Sequence, residues 1–244
     1  MENARTELGS LEYPGRLIVI GAAAAGPEVI VYAITGRSPS SQARRLVQRD
    51  GGVWVEPTDE ATLKQGHVDL LVYPAVLIGP AGIAVSNGKQ TADVGDRLKP
   101  GVAPVAALAA ALVRWDFEPD APIFTPRISG ALAGGAAALS VLRRGPAGET
   151  LRSYYEVGLR TAGEGRLVST YEGPNLDPLP VFHGEPRFVD VLGATAAEIA
   201  ASVYRSLGPA GPGKDLRVAV ACVAVPRGDA ARAEVAIVNR HVRT

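Results

Sequence analysis

Two apolar, β-branched runs, Arg16-Leu17-Ile18-Val19-Ile20-Gly21 and Glu28 to Thr35 (EVIVYAIT), are separated by only the turn-like segment Ala22 to Pro27. A parallel pair of strands needs a crossover of roughly a dozen residues or more, so a link this short predicts an antiparallel hairpin. The same signature recurs where Val76-Leu77-Ile78-Gly79 and Gly82-Ile83-Ala84-Val85 flank Pro80-Ala81. Further strands are expected at Val53-Trp54-Val55, Val68 to Tyr73, Leu139 to Leu142, Tyr154 to Thr161, Leu167 to Tyr171, Leu216 to Val225 and Ala233 to Val238.

Helical patterns are few and segregated. Thr91 to Leu98 carries Asp93 near its start and Lys99 near its end, as the helix dipole prefers. Val105 to Arg114 is Ala/Leu-rich and apolar on most faces, the pattern of a buried helix. Thr195 to Leu207 has a capping Thr, Glu198 three residues later, and a Gly208-Pro209 stop. Strands in hairpins with helices set apart define an α+β chain, with antiparallel sheets and helices packed outside them. Residues 1–12 are polar and unpatterned and read as a flexible tail, leaving 13–244 as one domain.

Composition narrows the chemistry. Hydrophobic residues make up 47% but aromatics only 5%, so the core must be built from small side chains and closely spaced backbone. The charge balances, with 25 Lys+Arg against 25 Asp+Glu, which argues against general nucleic-acid or membrane-surface binding. An anionic ligand must then be met by locally clustered arginines. The single Cys222 lies in an apolar run and reads as an inert small hydrophobe; without a second cysteine there is no internal disulfide, which fits a cytoplasmic protein. His67, His183 and His241 are scattered, and no Cys/His cluster has zinc spacing. No signal peptide and no bilayer-length apolar run is visible.

Four polar segments lie beside turns. Gly36-Arg37-Ser38 through Arg44-Arg45 follows a strand and suits a phosphate or carboxylate, or is a solvated loop. Tyr73-Pro74 ends an apolar strand, where a Tyr is a core residue or a catalytic phenol. Ser86-Asn87-Gly88 is a turn or helix cap, or part of a site. Asp116 to Gly130 holds three prolines, three carboxylates, an arginine and two hydroxyls on a fixed path, as a rigid functional loop or a structural crossover would.

In order, these segments resemble the IMP cyclohydrolase family, the archaeal-type enzymes and their bacterial relatives. The resemblance is carried by Tyr13-Pro14-Gly15-Arg16, Tyr32, Gly36-Arg37-Ser38, Tyr73-Pro74 and Ser86-Asn87-Gly88 with Thr91. Phe117-Glu118-Pro119-Asp120-Ala121-Pro122, Thr125-Pro126-Arg127-Ile128-Ser129-Gly130 and Ser169-Thr170-Tyr171-Glu172-Gly173 complete it.

The resemblance implies a four-layer αββα sandwich like that of the N-terminal-nucleophile hydrolases. It implies ring closure of 5-formamidoimidazole-4-carboxamide ribonucleotide to IMP with loss of water, the last step of purine synthesis. No Cys, Ser or Thr directly adjoins the first strand, and Ser10 is the nearest candidate, so acyl-enzyme chemistry is disfavoured.

The site implied by the resemblance has Glu118 as general base and Tyr73 as donor to the formyl oxygen. Arg37, with Ser38 and either Arg44 or Arg45, binds the phosphate or orients the formyl oxygen. Asn87 holds the carboxamide, Thr125 contributes a hydroxyl, and Arg127 completes an electrostatic cradle. The expected partner is a purine nucleotide, with no metal or organic cofactor and no nucleic acid or membrane. Ala-rich helices and a broad sheet edge permit a homo-oligomer. A related cyclase or amide hydrolase of the same fold, or a silent purine-nucleotide-binding module, is the competing expectation.

Overall fold

The structure, a computed structural model, describes residues 5–58, 72–159, 161–209, 213–226 and 229–241. Its strands are β1 (Arg16–Ala22), β2 (Glu28–Thr35), β3 (Arg44–Arg49), β4 (Gly52–Pro57), β5 (Tyr73–Gly79), β6 (Gly82–Ser86) and β7 (Arg127–Ala133). They continue as β8 (Ala136–Arg144), β9 (Thr150–Val157), β10 (Glu164–Ser169), β11 (Arg187–Asp190), β12 (Arg217–Val225) and β13 (Glu234–Asn239). The helices are α1 (Pro39–Gln42), α2 (Gln90–Arg97), α3 (Pro104–Leu112) and α4 (Ala196–Ser206).

All sheet pairings are antiparallel. One sheet has the order β11-β10-β1-β2-β12-β13, and the other runs β3 through β9 in chain order. The alternation of each strand decides the layering. Ile18, Ile20, Ile30, Tyr32 and Ile34 point inward and meet Val53, Val55, Ile83, Ile128 and Leu139 of the second sheet. Their neighbours Leu17, Val19, Val29 and Val31 point outward and are covered by Ile199, Ala200 and Val203 of α4. On the far side, Ala84, Ala131 and Ala138 lie under Val94 of α2 and Leu108 and Leu112 of α3. The result is helix, sheet, sheet, helix, with alanines where the helices approach.

Gly130 shows how close the sheets come: a Cβ there would lie 2.8 Å from the Ile20 Cδ1 of the facing sheet. The β1–β2 and β5–β6 hairpins and the three longer helices form where the sequence predicts them. α4 opens with the expected capping box, Thr195 accepting from the Glu198 amide while Glu198 reaches back to the cap.

Several elements differ from expectation. The segment 36–45 holds the short helix α1, and Arg44 and Arg45 already belong to β3. β3 reads Arg-Arg-Leu-Val-Gln-Arg and lies at a sheet edge, where one neighbour suffices and apolar alternation is weak. The start of β7 lies inside the segment read as a loop, and the four-residue β11 is too short to carry a pattern. Tyr73 begins β5 instead of ending a strand; the remainder of the expected strand, residues 68–71, lies outside the described residues.

Residues 5–12, read as part of a tail, pack against the body. Leu11 is buried, the Thr6 amide donates to Phe188 O at 2.7 Å, and Arg5 pairs with Asp190 and Glu164. Replacing the cap in Thr195→Ala should cost about 1 kcal/mol. That corresponds to a melting temperature roughly 2–4 °C lower by calorimetry, with ligand affinity unchanged.

Candidate active site

One end of the sandwich collects the polar groups. The start of β1, the end of β2, the start of β5, the end of β6 and the start of β7 meet there, as antiparallel order requires. Arg16 shares the alternation of Ile18 and Ile20, so its side chain enters the space between the sheets. Its Nη2 donates to Glu118 Oε1 at 2.7 Å, and both side chains are largely buried. Burial alone would favour a neutral guanidine. The neighbouring carboxylate of Glu118 outweighs it and holds Arg16 well above its ordinary pKa.

Glu118 is carried by the loop between α3 and β7. Its amide donates to Thr125 O at 2.8 Å, and Phe117 packs edge-on against Phe124, closing the loop on itself. Oε1 also accepts from Asn87 Nδ2 at 3.0 Å, and Oε2 has no hydrogen bond among the described residues. Tyr32 and Tyr73 face one another across the sheets, hydroxyl to hydroxyl at 2.8 Å, and both are fully buried. Burial first, then the neighbouring Tyr73, push the Tyr32 phenol well above its usual pKa, so it stays protonated.

Asn87 is saturated. Its Nδ2 donates to Glu118 Oε1 and to Pro126 O at 2.9 Å, while Oδ1 accepts from the Ile128 amide at 2.9 Å and Gln90 Nε2 at 3.0 Å. An amide offers two protons and two lone pairs, so none remains for a substrate carboxamide. Asn87 instead ties the start of β7 to the Glu118 loop. Arg127 alternates to the helix-facing side of β7, where Nη1 donates to Gln90 Oε1 at 3.1 Å and Nε to Asp116 O at 2.9 Å over the Trp115 ring. It reaches Glu118 through Gln90 and Asn87. Burial lowers its pKa, opposed by Glu118.

Thr125 and Ser38 are likewise engaged within the protein. Thr125 Oγ1 donates to Asp120 Oδ2 at 2.5 Å and lies 2.9 Å from the Tyr171 hydroxyl. Ser38 caps α1, its Oγ accepting from the Ser41 amide at 3.2 Å. The adjacent arginines of β3 separate by alternation. Arg45 is exposed and pairs with Glu56, while Arg44 lies half-buried where its charge acts on Tyr32, with its Nε buried and unpartnered among the described residues.

Arg37 sits at the outer margin of the same end. Its guanidinium lies over the Tyr13 ring at 5.3 Å, and Tyr13 stacks on Tyr171 with 5.5 Å between centroids. Arg37 borders a cleft of about 660 Å³ with Leu11, Asn175, Lys214 and Leu216. Lys214 Nζ donates to Arg37 O at 3.3 Å, so the second cation beside Arg37 comes from the chain just before β12. Gly15 makes the Tyr171 position attainable: its φ is +71°, and a Cβ would fall 2.7 Å from the Tyr171 ring.

Glu118, Tyr73 and Arg44 are thus brought to one centre, Asn87, Thr125 and Arg127 support it, and Arg37 and Ser38 stand at its rim. Sequence reasoning assigned no role to Arg16, Tyr32, Gln90 or Tyr171. The signal for Arg16 and Tyr32 was their even spacing with inward-facing isoleucines. Elsewhere, Ser10 donates its hydroxyl to Glu7 O at 2.7 Å, His183 lies 2.8 Å from Glu172, and His67 is outside the described residues. Burial raises the Cys222 thiol to about 12, as an inert residue requires.

Two stacked antiparallel sheets with a charged, phenol-lined centre at one open end place the chain among α+β sandwich proteins. Residues 13–225 match the family model for IMP cyclohydrolase-like proteins, and the chain belongs to that family. It is 32% identical to the IMP cyclohydrolase of Haloarcula marismortui, over 85% of this chain and 98% of that protein. It is 30% identical to the IMP cyclohydrolase of Methanothrix thermoacetophila, over 79% and 85% respectively.

Asn87→Ala removes partners from Glu118, Gln90 and two backbone groups at once. It should destabilise by about 3 kcal/mol, since each buried group left unpaired costs about 1–3. A melting temperature roughly 6–12 °C lower would show it, and an unchanged value would contradict the saturated geometry.

Proposed function

We propose that this protein closes 5-formamidoimidazole-4-carboxamide ribonucleotide to IMP with release of water. The observation that carries the proposal is the meeting of the Arg16–Glu118 pair with the Tyr32–Tyr73 hydroxyl pair between the two sheets, in a chain of this family.

The reaction joins the carboxamide nitrogen to the formyl carbon of the same molecule. Holding the two in a near-attack arrangement supplies much of the acceleration, because oriented intramolecular reactions have very high effective molarities. Glu118 Oε2, without a hydrogen bond among the described residues, takes one proton from the carboxamide nitrogen as it attacks. Oε1 is held by Arg16 and Asn87, so the free oxygen keeps its direction. Tyr73, backed by Tyr32, donates to the formyl oxygen as charge grows there, and Arg16 supplies a fixed positive field. The carbinolamine then loses its hydroxyl as water, together with the proton of the former formamide nitrogen. Two protons and the formyl oxygen leave as one water, and the attacking nitrogen keeps its second proton.

Arg37 and Lys214 bracket the cleft that would receive the 5′-phosphate, with Arg44 closer to the reacting end. Residues 13–244 act as one unit in this reading. Among the described residues no helix is long and apolar enough to cross a membrane, and purine nucleotide chemistry with a lone buried cysteine fits a cytoplasmic setting.

A spectroscopic assay of IMP formation, run with a metal chelator, is the direct test. Glu118→Gln should lower kcat about 10²- to 10⁴-fold while retaining IMP affinity. Wild-type protein that binds IMP but forms none from the formamido nucleotide would refute the cyclase reading. Arg37→Glu should weaken nucleotides roughly tenfold or more and leave nucleosides little changed. Equal losses for both would remove Arg37 from the phosphate.

A further inference from the structure

Asp120, Thr125 and Tyr171 form a hydrogen-bonded chain that leads from the Pro-rich loop to the Arg16 centre. The Asp120 carboxylate holds Thr125 by two bonds, from its backbone amide to Oδ1 at 2.7 Å and from its hydroxyl to Oδ2 at 2.5 Å. A carboxylate only accepts, so the Thr125 proton must point at Asp120. The 2.9 Å contact between Thr125 Oγ1 and the Tyr171 hydroxyl then has a single sense: Tyr171 donates and Thr125 accepts. The phenolic proton is consumed inside the protein. What remains on the Tyr171 oxygen is its lone pairs.

That oxygen is held in place. Gly15 allows the ring its position, Tyr13 stacks on it, and the hydroxyl is close enough to Arg16 for the guanidinium charge to act on it. Tyr171 is buried, and burial raises its phenol pKa, so it remains a neutral acceptor. An acceptor beside a cation that already pairs with the general base suits a group that brings an N–H. In the ring closure the attacking nitrogen arrives with two protons, surrenders one and keeps the other.

We propose that Asp120 is a positioning residue that sets the polarity of this chain, so that Tyr171 accepts the N–H retained by the attacking carboxamide nitrogen. That proton becomes the N1–H of IMP. Resting on the cyclase reading, the inference adds a residue that selects which of the two nitrogen protons Glu118 removes.

Asp120→Asn tests it directly. An amide at 120 can still accept from the Thr125 backbone, but its NH2 would donate to Oγ1, reverse the chain and turn the Tyr171 proton toward the ligand. The expected result is a fall in kcat/KM of roughly 10- to 100-fold, the scale of a misplaced reacting group. Thr125→Val should match it, the double variant should lose no more than either single one, and Thr125→Ser should restore near wild-type turnover.

Binding of IMP and of its N1-methyl analogue, by calorimetry, reads the same contact without turnover. Wild type should prefer IMP, and Asp120→Asn should lose the preference. Wild-type turnover in Asp120→Asn, additive losses in the double variant, or an unchanged preference for IMP would overturn the proposal. If the wild type makes no IMP yet discriminates the two ligands, the cyclase reading fails and the Tyr171 contact stands.

Discussion

The ion pair between Arg16 and Glu118 is the constraint around which this end of the molecule is organised. Two charges taken out of water incur a desolvation penalty that their attraction offsets only with good geometry and further hydrogen bonds. The 2.7 Å contact and a second donor from Asn87 to the same oxygen supply both on the Glu118 side, while Arg16 Nε is buried without a partner among the described residues. Asn87 is in turn fixed by Pro126 O, the Ile128 amide and Gln90, and Gln90 by Arg127. A buried charge thus imposes order on three segments distant in sequence, Arg16, Asn87 to Gln90 and Glu118 to Ile128. Removing either charge would strand the other, which makes the pair costly to lose and its geometry narrow.

Most strands were legible in the sequence because they are central in their sheets and show apolar runs bounded by turns. β3, β7 and β11 were not, each for a physical reason. An edge strand such as β3 needs few apolar residues, β7 begins with the polar end of a site loop, and β11 has four residues. The polar clusters that build the site were visible as well, since Arg37, Tyr73, Asn87, Glu118 and Arg127 all stand in dense segments. Their division of labour was not visible. Whether a side chain has capacity left for a ligand depends on how many of its donors and acceptors the fold consumes, and only coordinates count those.

That count separates two kinds of residue. Asn87, Thr125 and Ser38 carry groups that could bind a nucleotide, yet each is occupied within the protein. Among the described residues Glu118 Oε2 and the Tyr171 lone pairs are left over, and these are the groups that the proposed chemistry uses. Arg16 was overlooked for the opposite reason: it sits at the start of an apolar strand, where a charged residue reads as a solvated strand end. Its alternation with Ile18 and Ile20 sends it inward.

Antiparallel order explains why the groups assigned to the proposed reaction share one end. In such a sheet the start of one strand lies beside the end of the next, so Arg16 at the opening of β1 is level with Ile34 near the close of β2, and Ser86 with Ser129. Strand ends that lie side by side in this way bring residues far apart in the chain to one rim. The opposite rim holds the β5–β6 and β7–β8 turns, with Gly82, Gly134 and Gly135 at positive φ. Tight turns link the strands there. At the reactive rim the connections are longer, and the loop from Asp116 to Pro126 is long enough to fold back over the sheet edge. Its prolines and the Phe117–Phe124 contact make it stiff, so it can deliver a carboxylate to a buried cation and hold it in one orientation.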